Sequence, residues 1–209
     1  TIAAAILSNW SSIRGLVMLR KTELPDAVAL AITSLRDGDK DEVSHAHGLL
    51  QDAVLGRRGC LRTDKPKPVD WAEATWYEFV ALMAHDNNHV RSIAGQTLSN
   101  LAQSAPPETA MRDLGKVAAA TRDEMFVTAR HILQSLWKFG LGTKELRGAL
   151  LAGLADLFRD SINEKNPTLR RFDIVTGLRA LYDETGDDGV LQTARDLISL
   201  EDDPKYRKK

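Results

Sequence analysis

The stretch Asp86–Leu101 constrains the fold more than any other part of the chain. It reads as a polar turn entering a helix, with Val90, Ala94, Leu98 and Leu101 on one face at 4-4-3 spacing. The same apolar positions return further on. A shift of 35 residues lays Ala94, Leu98 and Leu101 over Ala129, Leu133 and Leu136, and a shift of 80 lays them over Ile174, Leu178 and Leu181. The second shift also lays Arg91 over Arg171. A period of this kind belongs to helix pairs that cannot bury their apolar faces alone and stack on one another.

The remaining segments fill in the pairs. A first helix is predicted over Ile2–Lys21. A second opens at Pro25 and carries Ala27, Val28, Ala31, Ile32 and Leu35, and a third carries Val43, Ala46, Leu50, Ala53 and Val54. Gly56–Asp70, with two Gly, two Pro and five basic residues, is predicted as a loop. The alternation resumes with Trp71–Ala84 behind Asp70 as cap, then Asn88–Ser104, Pro107–Thr121, Asp123–Phe139, Lys144–Ser161, Asn166–Tyr182 and Val190–Leu200. A charged tail closes the chain. Ten helices and no alternating β-branched run make an all-α fold, with residues 1–209 as a single helical-repeat domain. Ala and Leu carry most of its apolar surface, since hydrophobic content is 43% but aromatic content only 6%.

Composition narrows the function classes. Lys and Arg number 28 against 29 Asp and Glu, which is not the basic balance of a dedicated nucleic-acid binder. Cys60 is the single cysteine, so neither an intrachain disulfide nor a Cys-rich zinc site is expected, and a reducing, cytoplasmic setting is. No apolar run approaches the ~20 residues of a membrane span. The chain opens without Met, in a helical pattern, as expected either of a trimmed chain or of a piece of a longer protein.

Asp86–Leu101 resembles the second helix of a HEAT repeat, in which a turn carrying Asp or Asn is followed by Val-Arg and, a turn later, a small residue. Asn166–Leu181 is similar, with Pro167 in the turn, while Phe126 stands where the helix after Asp123 would have its Arg. The first 60 residues match weakly. The resemblance implies a right-handed, HEAT- or armadillo-like α-solenoid over residues 71–200. It also implies a ladder in which Arg91 pairs with Asp123 or Asp86.

Other constellations read as structure rather than chemistry. His85 and His89 flank the turn Asp86-Asn87-Asn88, and His45 and His47 point apart on a helix, so no metal site is expected. Asp37–Asp41 and Asp183–Gly189 miss the calcium-loop pattern and are predicted to be caps and turns. Trp71, Trp76 and Trp137 are expected in the core. Phosphate loops, a nucleophile elbow and paired carboxylates are missing, so neither catalysis nor a cofactor is expected.

The candidate binding surface is the polar side of the second helices: Arg91, Gln96, Asn100, Arg130, Gln134, Lys138, Arg171 and Arg179, joined by Arg57, Arg58 and Arg62 of the loop. Arg91 and Arg171 have the ladder as a competing role, whereas Arg130 and Lys138 do not. The expected function is a non-enzymatic scaffold presenting a curved surface to a protein partner. The alternative is nucleic-acid binding through a basic concave face. There the resemblance to HEAT-like DNA glycosylases would cast Asp173 and Trp137 as the acidic and aromatic parts.

Overall fold

The computed structural model describes residues 24–56, 64–164, 166–201 and 203–208. The helix expected at Ile2–Lys21, together with Cys60, Arg57, Arg58 and Arg62, lies outside the described residues. Among the described residues there are ten α-helices and no strand. They are α1 Asp26–Asp37, α2 Lys40–Leu55, α3 Ala72–Leu82, α4 Asn88–Leu101, α5 Pro107–Ala120, α6 Phe126–Leu136, α7 Lys144–Asp160, α8 Pro167–Thr185, α9 Asp188–Ser199 and α10 Pro204–Arg207. Two 3-10 turns, Trp137–Leu141 and Ser161–Asn163, follow α6 and α7. No described helix is long and apolar enough to cross a membrane.

Local chemistry sets the helix starts. Asp39 caps α2 through the amides of Asp41 and Glu42, and Glu42 reaches back to the Asp39 amide, forming a capping box. Asn87 caps α4 by accepting from the amide of His89, and Pro107 and Pro167 occupy the first turns of α5 and α8. The two candidate calcium stretches are therefore caps, since Asp187 likewise accepts from the amide of Gly189.

Consecutive helices pack as hairpins: α1 with α2, α3 with α4, α5 with α6, α7 with α8. The even-numbered helices also pack in series, α2 on α4, α4 on α6 and α6 on α8. On the other side α1 meets α3, α5 meets α7 and α7 meets α9, while the Trp76 indole of α3 donates to Asp113 of α5 at 3.0 Å. Close approach within the even row depends on two glycines. A Cβ on Gly95 of α4 would fall 2.8 Å from Ile132 of α6, and one on Gly177 of α8 would fall 3.2 Å from the Trp137 Cβ. Trp71, Trp76 and Trp137 are all buried in the core, as expected of large aromatic side chains.

Four local expectations need correction. The helix predicted from Asp123 starts at Phe126, because the Asp123 carboxylate folds back onto the Met125 amide at 2.8 Å and holds a turn there. Its last residues form the 3-10 turn, which is enclosed by α4, α7 and α8, so that Trp137, Lys138, Phe139 and Gly140 are all buried. Asp70 does not cap α3; Trp71 holds the cap position without a side-chain bond, and its ring is buried instead. The tail forms the short helix α10, capped by Asp203.

The described part of the long loop is tied down rather than loose. Lys67 donates its amide to the Val54 carbonyl at the end of α2, and Val69 donates its amide to the Ser104 hydroxyl beyond α4. Lys65 pairs with Glu184 on α8 at 2.9 Å. Residues 64–69 thus run across the C-terminal ends of three even-numbered helices.

Candidate functional site

A polar cleft of about 190 Å³ opens between α2, α4 and α6. At ~30 Å³ per water, it has room for about six waters or a comparably small organic group. Each helix presents one polar face at helical spacing. α2 supplies His47 and Gln51, α4 supplies Gln96, Thr97 and Asn100, and α6 supplies His131, Gln134 and Ser135, with Lys138 following on the 3-10 turn.

The side chains are fixed by bonds that leave particular atoms over. Gln51 donates from Nε2 to His47 Nε2 at 3.0 Å. An amide nitrogen can only donate, so the His47 ring carries its proton on Nδ1. Burial holds the His47 pKa below its ordinary value, and the neighbouring His131 and His89 push the same way. Lys138, only 3% exposed, donates from Nζ to Asn100 Oδ1 at 2.7 Å. Gln96 directs its nitrogen to the carbonyl and hydroxyl oxygens of Ser92, both at 3.1 Å.

Gln134 is the informative residue. Its Nε2 donates to Asp173 Oδ1 at 2.8 Å, and the carboxylate can only accept, so the carbonyl end of the amide must point away. Gln134 is 5% exposed, yet its Oε1 has no hydrogen-bond partner among the described residues. An unmatched buried acceptor of this kind costs roughly 1–3 kcal/mol.

Four of the eight expected surface residues therefore meet in one place: Gln96, Asn100, Gln134 and Lys138. The expectation that they stand exposed is corrected for Asn100, Gln134 and Lys138, because α4 and α6 are covered on several sides. The four arginines go elsewhere. Arg91 grips Asp123 through Nε at 2.6 Å and NH2 at 3.0 Å, and its NH1 donates to the carbonyls of His85 and Asp86. Those hydrogen bonds raise the Arg91 pKa and hold the Asp123 carboxyl below its usual range. Arg171 repeats the arrangement with Glu201 at 3.1 Å while lying over the Phe158 ring. Arg130 does have a structural partner, contrary to expectation: it holds Asp173 from Nε at 2.6 Å. Arg179 pairs with Asp183 along the exposed side of α8.

His47, Gln51 and His131 are site residues that sequence reasoning missed, His47 having been weighed only as a metal ligand. A signal existed. One shift of 38 residues carries Gln96 onto Gln134 and Asn100 onto Lys138, so two polar rows recur in the same register. No group of three His, Cys, Asp or Glu suited to a metal occurs among the described residues. Asp173 is 4% exposed and bound by Arg130 and Gln134, while Trp137 is 1% exposed, so neither stands open toward a nucleic acid. No protein-family model matches the chain, and neither a curated protein nor a solved structure matches it at a significant level.

Proposed function

We propose that the chain is a non-enzymatic, HEAT-like helical-repeat scaffold, a right-handed α-solenoid. Its even-numbered helices hold a segment of a protein partner. Support for the repeat comes from the serial packing of α2, α4, α6 and α8, and from the recurrence of the Arg91–Asp123 pair as Arg171–Glu201. The observation that carries the binding reading is the cleft itself, which is lined by side-chain amides from three successive even-numbered helices. Nucleic acid is the weaker reading. Arg91, Arg130, Arg171 and Arg179 each face a carboxylate, so the expected basic face is neutralised pair by pair.

The test is selection of peptides from a random library against the full chain, followed by affinity measurements on variants. Selected peptides are expected to bind at least ten-fold more weakly to Gln96→Ala and Gln134→Ala. They should bind unchanged to Glu108→Ala and Lys116→Ala, which alter the exposed side of α5. Loss of binding in the α5 variants with retention in the cleft variants would overturn the reading.

A further inference from the structure

We propose that residues 65–69 are a clasp that controls access to the cleft between α2, α4 and α6, with the Lys65–Glu184 ion pair as its releasable end. Where it concerns entry of a partner, the inference rests on the reading above. The cleft stops near the ends of its helices, its last lining residues being Gln51 on α2 and Asn100 on α4. Three residues beyond each of them the strap takes hold. The Lys67 amide donates to the Val54 carbonyl at 2.7 Å, and Gln103 donates from Nε2 to the Pro66 carbonyl at 2.6 Å. The Val69 amide then donates to the Ser104 hydroxyl at 3.0 Å. Because α2 ends at Leu55 and α4 at Leu101, these bonds join the C-terminal ends of two cleft walls.

The strap is fitted to its place. Pro66 is buried between two exposed lysines, and Val69 packs against the core. Gly56 closes α2 in the left-handed region at φ 73°, where a Cβ would collide with Lys67 Nζ. The Lys67 ammonium therefore lies against the carboxyl end of α2, where the helix dipole favours a cation. The two attachments of the strap differ in strength. Toward α2 and α4 it holds by three hydrogen bonds, one of them to the carbonyl of a buried residue. Toward α8 it holds by Lys65 and Glu184, which are 50% and 32% exposed, and salt weakens such a pair. In the row of even-numbered helices α8 lies at the far end from α2, with α4 and α6 between them, so this weak pair spans the row. Its release frees the strap, and with it the spacing of α2 and α4 beside Gln51 and Asn100.

The experiment is native-state amide hydrogen exchange of the full chain, read by two-dimensional ¹⁵N–¹H NMR. The Lys67 and Val69 amides report on the clasp, and the Leu98 amide, in the buried middle of α4, reports on global unfolding. The clasp amides are expected to exchange by local opening, at a rate insensitive to low denaturant, while Leu98 exchanges far more slowly and responds steeply. Gln103→Ala should speed the clasp amides about ten-fold and shift the side-chain amide signals of Gln51 and Asn100. Glu184→Gln should speed them about two-fold, an increment that high salt removes. Peptides selected as above should associate faster in step with clasp opening, since entry waits on the open form. Clasp amides that exchange only together with Leu98, or that ignore both substitutions, would overturn the inference. So would an opened clasp that leaves the Gln51 and Asn100 signals and peptide association unchanged. Opening that shifts the two cleft signals while no library peptide binds would keep the clasp and reject the partner segment.

Discussion

Helices α4 and α6 carry two polar places about two turns apart, and the two have opposite characters. At the start of α4, Arg91 meets Asp123 with two bonds to the carboxylate and two more to backbone carbonyls. Every strong group there has a partner. Further along, Gln96, Asn100, Gln134 and Lys138 line a cleft, and behind its wall the buried Gln134 Oε1 has no hydrogen-bond partner among the described residues. A fully matched cluster is what a joint between repeats needs, since it fixes one geometry. A partly matched cluster is poor as a joint, and the proposed binding of a partner rests on it. The paired Arg91 and Asp123 thus tie successive even-numbered helices together, while the cleft is lined mainly by neutral polar groups.

Breaking the joint gives the largest effect. Asp123→Ala leaves the Arg91 guanidinium, 14% exposed, with the longer 3.5 Å contact to the exposed Glu124 in place of its two short carboxylate bonds. A loss of about 3 kcal/mol in unfolding free energy is expected, the lower end for a buried pair because the His85 and Asp86 carbonyls remain. Denaturant titration reads it. Binding of the selected peptides by the folded protein should survive. Its disappearance together with stability would mean that joint and cleft are one unit.

The cleft should behave the other way round. Gln134→Met removes the unmatched Oε1 but also the bond to Asp173, which keeps Arg130. The two changes oppose each other, and the midpoint of unfolding should move by no more than about 1 kcal/mol in either direction. Binding of the selected peptides should nevertheless weaken. A destabilisation as large as that of Asp123→Ala would show that Gln134 belongs to the joint and not to the site.

These two places were not equally legible in the sequence. The apolar stripe of α4 follows from helical spacing, and the Arg91–Asp123 pair is one of the two pairings, with Asp123 or with Asp86, that the resemblance to a HEAT repeat implies. The start of α6 did not, because Asp123 turns inward to the Met125 amide and delays the helix by three residues. Nor did the cleft. Gln134 and Lys138 stand at spacings that read as a solvated face, and only the packing of α2 and α8 against the same helices encloses them. Asp173 looked like a displayed acid, but the arrival of Arg130 and Gln134 from α6 makes it an anchor. Spacing within one helix reports which face is apolar; how neighbouring rows meet depends on the register between helices, which no local pattern carries.

The pH dependence separates the two places again. The joint follows a carboxyl whose folded pKa is depressed. Its stabilisation is complete above the ordinary carboxylate pKa of about 4 and is lost as pH falls through the lower folded value. The cleft follows His47, whose folded pKa lies below the ordinary 6.5. The unfolded chain therefore takes up this proton first, and stability declines as pH falls below about 6.5. His47→Gln should flatten the pH 7 to 5 segment of the stability curve without changing the acid limb, whereas Asp123→Ala should change the acid limb alone. His131 and His89, whose charges act on the His47 ring, are present in both proteins, so the difference between the curves reads the loss of His47. An unchanged pH 7 to 5 segment in His47→Gln would mean that the ring is solvated and does not help to enclose the cleft.

The smallest effect falls on α8, where two arginines eight residues apart sharpen the contrast. Arg171 is 12% exposed, pairs with Glu201 and lies 4.8 Å from the centre of the Phe158 ring. Arg179 is 74% exposed and pairs only with Asp183 one turn on. Both look alike in sequence, as an arginine on the polar side of a second helix. Arg171→Ala removes a repeat of the joint and the packing of its stem, and should cost about 2 kcal/mol. Arg179→Ala removes an exposed pair worth about 0.3 kcal/mol, within the scatter of a denaturant titration. Neither change should touch peptide binding, since neither residue lines the cleft. An Arg179 variant that unfolds as readily as the Arg171 variant would show that exposed pairs also hold the row of even-numbered helices together, and would erase the line drawn here between joints and surface.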